Sequence, residues 1–153
     1  MIAEFLSHPI TMEIAAGPDA SNISGTLGGR GNLFSFIGFD VGSDPIQPIV
    51  EIFESSHIEF RKITKTGIES IAFLPSADEV FAATPMPWAE GRSWAYGIES
   101  GISGLGWYIR KVGLGRSGGG IQSSQQVFGN VKFRNVQYIS ALINKYTKLV
   151  QSI

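Results

Sequence analysis

Three stretches of this chain carry residue types at spacings that chemistry uses. Gly115-Arg116-Ser117-Gly118-Gly119 fits G-x-S-x-G, a turn that can lift a serine hydroxyl clear of the backbone as a nucleophile. The overlapping Gly113-Leu114-Gly115-Arg116-Ser117-Gly118 fits G-x-G-x-x-G, which lets backbone amides approach a pyrophosphate. Glu51, Glu54, His57 and Glu59 lie close enough in sequence to offer carboxylate oxygens and an imidazole to a metal ion across a hairpin.

Each pattern is missing something its chemistry requires. In an α/β-hydrolase the acid and the histidine follow the serine. Here both histidines, His8 and His57, and all thirteen carboxylates precede Ser117. The order histidine, aspartate, serine of chymotrypsin-like enzymes is permitted by His57, Asp78 and Ser117. Arg116, however, stands where those enzymes carry aspartate, and His57 sits in Glu54-Ser55-Ser56-His57-Ile58 rather than in an apolar segment. A dinucleotide site needs an acidic residue roughly 20 positions beyond its glycines, and none follows Glu99. Two histidines without cysteine make no zinc-type spacing, and the residues around His57 read as the solvated edge of a strand pair. The sequence thus names no catalytic, cofactor-binding or metal-binding residue and no cofactor. A small serine hydrolase built on His57, Asp78 and Ser117 is the remotest alternative.

Charge is the most informative feature. Residues 1–99 carry thirteen carboxylates against five Lys and Arg, a net of -8. Residues 100–153 carry Arg110, Lys111, Arg116, Lys132, Arg134, Lys145 and Lys148 and no acid, a net of +7. Such polarisation suggests an electrostatic partner, either a polyanion at the basic end or the acidic surface of another copy. In the basic third, Trp107, Tyr108, Phe128, Phe133 and Tyr138 interleave with the cations, a mixture able to stack bases and neutralise phosphates. Trp88 and Trp94 follow Pro85-Met86-Pro87, and aromatic residues with Met are enriched at interface cores. The interface candidates are Met86, Trp88, Trp94, Arg110, Lys111, Arg116, Lys132 and Arg134.

The elements that must position these residues read as mostly β. Nineteen glycines and seven prolines cut the chain into short pieces. Runs at 33–39, 46–53, 57–63, 68–74, 80–83, 93–98, 105–112 and 127–133 read as strands rich in residues that suit a pleated surface. Residues 46–74 read as a three-stranded meander turning at Ser55-Ser56 and at Lys65-Thr66-Gly67. The alternation of Ile58, Phe60 and Lys62 against Glu59, Arg61 and Ile63 is imperfect, as in a strand with one wetter face. Stretches 17–31, 84–91 and 113–120 read as loops, and a short helix is possible at residues 2–6. Val136, Ile139, Ile143, Tyr146, Val150 and Ile153 recur at spacings of three and four, predicting an amphipathic helix over 135–152 with Asn135 as its N-cap. The expected fold is mainly β, an antiparallel sheet, sandwich or barrel with one C-terminal helix; α+β is the alternative label. One domain is expected over 1–153, strand-rich across 10–133.

The absence of cysteine excludes disulfide scaffolds and thiolate sites. No run approaches 18 apolar residues, so no transmembrane segment is expected. The first fourteen residues lack a basic start and a long apolar run, so no secretory signal is expected, and no compartment is assigned. The expected function is that of a non-catalytic structural subunit, not an enzyme, that associates with itself or with other protein subunits in a larger assembly of the virion, phage-tail or secretion-apparatus type. A nucleic-acid-binding module using the basic end is the main alternative.

Overall fold

Short helices, most of them opened by a capping side chain, build the body of the molecule. The computed structural model describes residues 1–29, 31–87, 89–102 and 133–151. Among these, seven α-helices occur: α1 (Ile2–Leu6), α2 (Pro9–Ala15), α3 (Leu33–Ile37), α4 (Gln47–Glu54), α5 (Ala77–Ala82), α6 (Trp94–Ser100) and α7 (Ile139–Gln151). A 3-10 turn at Gly17–Asp19 follows α2. Two antiparallel pairs complete the set, β1 (His57–Thr64) with β2 (Gly67–Phe73) and β3 (Pro85–Met86) with β4 (Ala89–Ser93). Helix makes up 45% and strand 18% of the described residues. The expectation of a mainly β, β-rich chain forming a sandwich or barrel is therefore overturned. No helix among the described residues is long and apolar enough to cross a membrane.

The misread runs are short, and a run of four to eight apolar residues suits a strand and a buried helical turn equally well. Capping decides between them. The Asn32 side chain accepts from Ser35 N at 2.9 Å and opens α3 over the run at 33–39. Gly38, at φ 89°, ends that helix in the left-handed region that glycine tolerates. Asp44 Oδ1 accepts from Ile46 N and Gln47 N at 3.0 and 3.1 Å, and Pro48 sits in the first turn of α4. The run at 46–53 is thus a helix, burying Ile49 and Phe53 four residues apart, and only the last two of the three strands of the expected meander exist. Ser76 and Glu79 form a reciprocal capping box on α5, where residues 80–83 had read as a strand. Ser93 accepts from Tyr96 N at 3.0 Å and starts α6 over the run at 93–98. The short helix at residues 2–6 is present as α1. The strands expected at 105–112 and, up to residue 132, at 127–133 lie outside the described residues.

The C-terminal helix begins four residues later than its periodicity suggests, and Asn135 is not its cap. Residues 133–138 instead run as a tether: Arg134 N donates to Thr26 O at 3.1 Å and Val136 N to Ile98 O at 3.2 Å. The cap comes from α6. Glu99 accepts from Ser140 N at 2.7 Å and from the Ser140 hydroxyl at 2.6 Å, placing a carboxylate at the positive end of α7. Ile139 and Ile143 then turn inward.

One hydrophobic cluster takes residues from each of the seven described helices. Phe5 meets Phe53 edge-on at 5.2 Å and stacks on Tyr138 at 5.9 Å, joining α1, α4 and the segment before α7. Trp94 meets Phe39 edge-on at 5.6 Å. Within this apolar body Glu13 is fully buried. Its carboxylate accepts from Asn22 Nδ2 at 2.9 and 3.2 Å, from Ser24 N at 2.7 Å and from Leu33 N at 2.8 Å. Asn22 Oδ1 in turn accepts from Leu27 N and Gly29 N, so the glycine-rich stretch is wound around two side chains.

Replacing Glu13 with alanine strands three buried or half-buried donors and is expected to lower unfolding free energy by about 3 kcal/mol or more. Urea titration followed by circular dichroism checks this. Glu90→Ala, at an exposed position, is expected to stay within about 0.5 kcal/mol of the parent.

Candidate functional site

The β1–β2 hairpin is the part of the described chain that the core does not explain. Successive side chains of a strand point to opposite faces, and the register sorts them. His57 pairs with Phe73, Ile58 with Ala72, Glu59 with Ile71 and Phe60 with Ser70; then the register shifts, Lys62 pairing with Glu69 and Ile63 with Ile68. Arg61 is the extra residue of a β-bulge. Because of it, Ile63 returns to the face of Ile58 and Phe60 although it lies three positions beyond Phe60. One face therefore carries Ile58, Phe60, Ile63, Ile68, Ser70 and Ala72. The other carries His57 stacked on Phe73 at 4.7 Å and a Lys62–Glu69 ion pair at 3.2 Å.

The apolar face looks into solvent. Ile58, Phe60, Ile63 and Ile68 are 63, 62, 77 and 72% exposed. An isolated two-stranded ribbon is marginal in water and normally needs packing on a face. Exposed apolar surface of this kind is uncommon on a monomeric protein. The signal in the sequence is the spacing of two and then three between Ile58, Phe60 and Ile63, which is what a bulged amphipathic strand produces.

The residues singled out from sequence fall elsewhere. Trp94 is a core residue whose backbone N donates to Thr84 O at 2.9 Å. Met86 is buried in β3 and lines an open groove of about 680 Å³ with Phe81, Pro85, Arg92, Tyr96 and Ile102. Gly97 closes that wall, where a Cβ would meet Ile102 Cγ1 at 3.1 Å and Met86 Cε at 3.2 Å. Arg134 is exposed on the tether before α7. Trp88, Arg110, Lys111, Arg116 and Lys132 lie outside the described residues, as do Ser117 and the glycines at 113–120. His57 is exposed on β1 with Nδ1 2.9 Å from Ser55 O, and Asp78 is exposed in the first turn of α5. Among the described residues no group of three or more potential ligands could hold a metal ion.

A second polar cluster joins the two ends of the chain. Glu4 accepts from Lys145 Nζ at 2.6 and 2.8 Å and from the Tyr146 hydroxyl at 3.1 Å. The Lys145 hydrogen bond holds the Glu4 carboxyl below its ordinary pKa, and Glu4 raises that of Lys145. Beside them a cleft of about 230 Å³ is lined by His8, Gln137, Tyr138 and Leu142 among others. Burial pushes the Tyr138 phenol far above its usual range, and its hydroxyl shares a 2.6 Å hydrogen bond with Thr11. His8 Nδ1 accepts from Ile10 N at 3.3 Å and caps α2, while its ring lies 4.8 Å from that of Tyr138. These partners lie within the chain, so the cluster acts as a clasp between α1, α2 and the C-terminal segment.

Two outcomes follow from this geometry. Phe60→Ser removes a side chain that touches little of the body and is expected to leave the unfolding free energy of the monomer within about 0.5 kcal/mol of the parent; calorimetry at low concentration checks it. The second concerns His8, whose pKa burial lowers from 6.5, Glu4 partly opposing. The folded state therefore favours the neutral ring. That contribution is complete above the unfolded value and is lost as pH falls through it toward the lowered folded value. Protonation also removes the lone pair that caps α2. His8→Asn, which still caps, is expected to flatten the fall in melting temperature between about pH 7 and pH 5.

No family model, curated protein or solved structure matches this chain.

Proposed function

We propose that this chain is a non-catalytic structural subunit that associates with copies of itself in a larger assembly, with the β1–β2 hairpin as its contact element. One observation carries the reading: a ribbon with four large apolar side chains on one face, all of them more than half exposed. Burying each such side chain is worth about 1.5–3 kcal/mol when it is complete, so a partner covering this face gains a substantial driving force. Charge supports association less directly. Lys145 is already paired with Glu4, and Glu99 with the start of α7, so part of the polarisation seen in the sequence is satisfied inside one chain.

The contact is therefore expected to be apolar in character. Sedimentation equilibrium of the parent chain should give a mass above the monomer that persists at about 1 M salt, where the Debye length falls to ~3 Å and exposed ion pairs weaken. Phe60→Ser combined with Ile68→Ser should return the chain to monomer. A parent chain that is monomeric at every concentration tested contradicts the proposal. An assembly that dissolves at high salt assigns the contact to charge and not to the hairpin.

A further inference from the structure

The composition of the hairpin face restricts what can cover it. Ile58, Phe60, Ile63, Ile68, Ser70 and Ala72 include no charged group, and the ionisable side chains of the register, His57, Glu59, Lys62 and Glu69, sit on the opposite face. In a two-fold contact the residues near the axis meet their own copies, so a charge there would face a like charge at a cost of several-fold in affinity or more. The paired residues of this face are free of that penalty, while Arg61, unpaired at the bulge, belongs to neither set. Its area points the same way. Four side chains of this size, each about two-thirds exposed, offer on the order of 500 Å² of apolar surface. Two such faces pressed together bury at most roughly 1,000 Å², which reaches the lower bound for a specific interface when the faces cover each other fully. Pairing edge to edge would extend the sheet and leave the same apolar face in water, so stacking is the geometry that removes it.

On the self-association reading above, we infer that two copies of this chain dock hairpin against hairpin. Their apolar faces stack about a two-fold axis that passes near Phe60 and Ser70, the middle pair of the patch. The product is a two-layer, four-stranded stack with sheets about 10 Å apart. Each copy covers the Ile58, Phe60, Ile63 and Ile68 of the other, and the Lys62–Glu69 faces remain outside in solvent. The interface is isologous and by itself closes at two copies, so growth into a larger assembly uses a second contact elsewhere on the chain.

The chain has no cysteine, so single thiols report position cleanly. Ser70→Cys places one on the apolar face and Glu69→Cys places one on the opposite face, both at exposed positions. The full-length variants are treated with a short bis-maleimide alongside sedimentation of the untreated parent, and their circular dichroism is compared with the parent's. Proximity in the stack should make Ser70→Cys form covalent dimer at least about tenfold faster than Glu69→Cys. Adding Phe60→Ser should abolish the difference. Association of the parent with equal cross-linking at the two positions overturns the stack while leaving self-association standing. A parent chain that is monomeric throughout overturns both. Flotation with phosphatidylcholine–phosphatidylglycerol vesicles is run in parallel. A monomeric chain that binds them and loses binding with Phe60→Ser assigns the face to lipid and overturns the stack.

Discussion

A carboxylate without water must be surrounded by donors, and the fold depends on how this chain meets that demand at Glu13. Its oxygens take hydrogen bonds from Asn22, Ser24 and Leu33, on both sides of a glycine-rich stretch. That stretch is consequently not free to wander: Asn22 gathers Leu27 and Gly29, and Thr26 is left with its carbonyl presented to Arg134. The tether from Arg134 leads to Val136 on Ile98, to Tyr138 on Thr11, and then to the start of α7. Loss of the buried acceptor would therefore be felt as far as the C-terminal helix, although Glu13 does not bond to it. Buried groups with several charged hydrogen bonds are costly to break because the donors cannot be resolvated.

What could be read beforehand follows a physical division. The β1–β2 hairpin was legible because two β-favouring runs flank a short turn, and the C-terminal helix because its apolar residues recur over several turns. The start of α7 was not, since its cap is supplied by Glu99, 41 positions away from Ser140. Helices α3 to α6 were mistaken for strands although Asn32, Asp44, Ser76 with Glu79, and Ser93 stand at their entrances. Those local hydrogen bonds outweighed the β-propensity of Ile, Phe and Val in runs too short for periodicity to decide. At the candidate site, residue type alone leaves Trp94 open between core and interface and offers Met86 as an interface anchor; both are buried, because burial is a property of the whole fold. The hairpin face is hidden in the sequence because the bulge at Arg61 breaks its alternation.

The division of charge along the chain has an internal use. α7 contains no acid, yet a helix N-terminus favours a negative group. Glu99, the last carboxylate in the sequence, supplies it, and Glu4 from the first helix fixes Lys145 further along. The acidic and basic parts of the sequence thus meet within one molecule, so linear charge asymmetry overstates the field a partner would experience. For this reason the apolar ribbon, not net charge, carries the functional proposal.

Arg61 acts as a phase correction in β1. On the body side of it the apolar residues are even-numbered, and on the tip side the apolar residue is odd-numbered. If Arg61 were deleted, the strand would regain a regular alternation with Ile58, Phe60 and Ile63 still sharing one face. What would change is the bend and extra twist that a bulge imposes. The composition of the ribbon and its curvature are therefore separable by a single residue, so the shape of this surface can be varied without altering which side chains it displays.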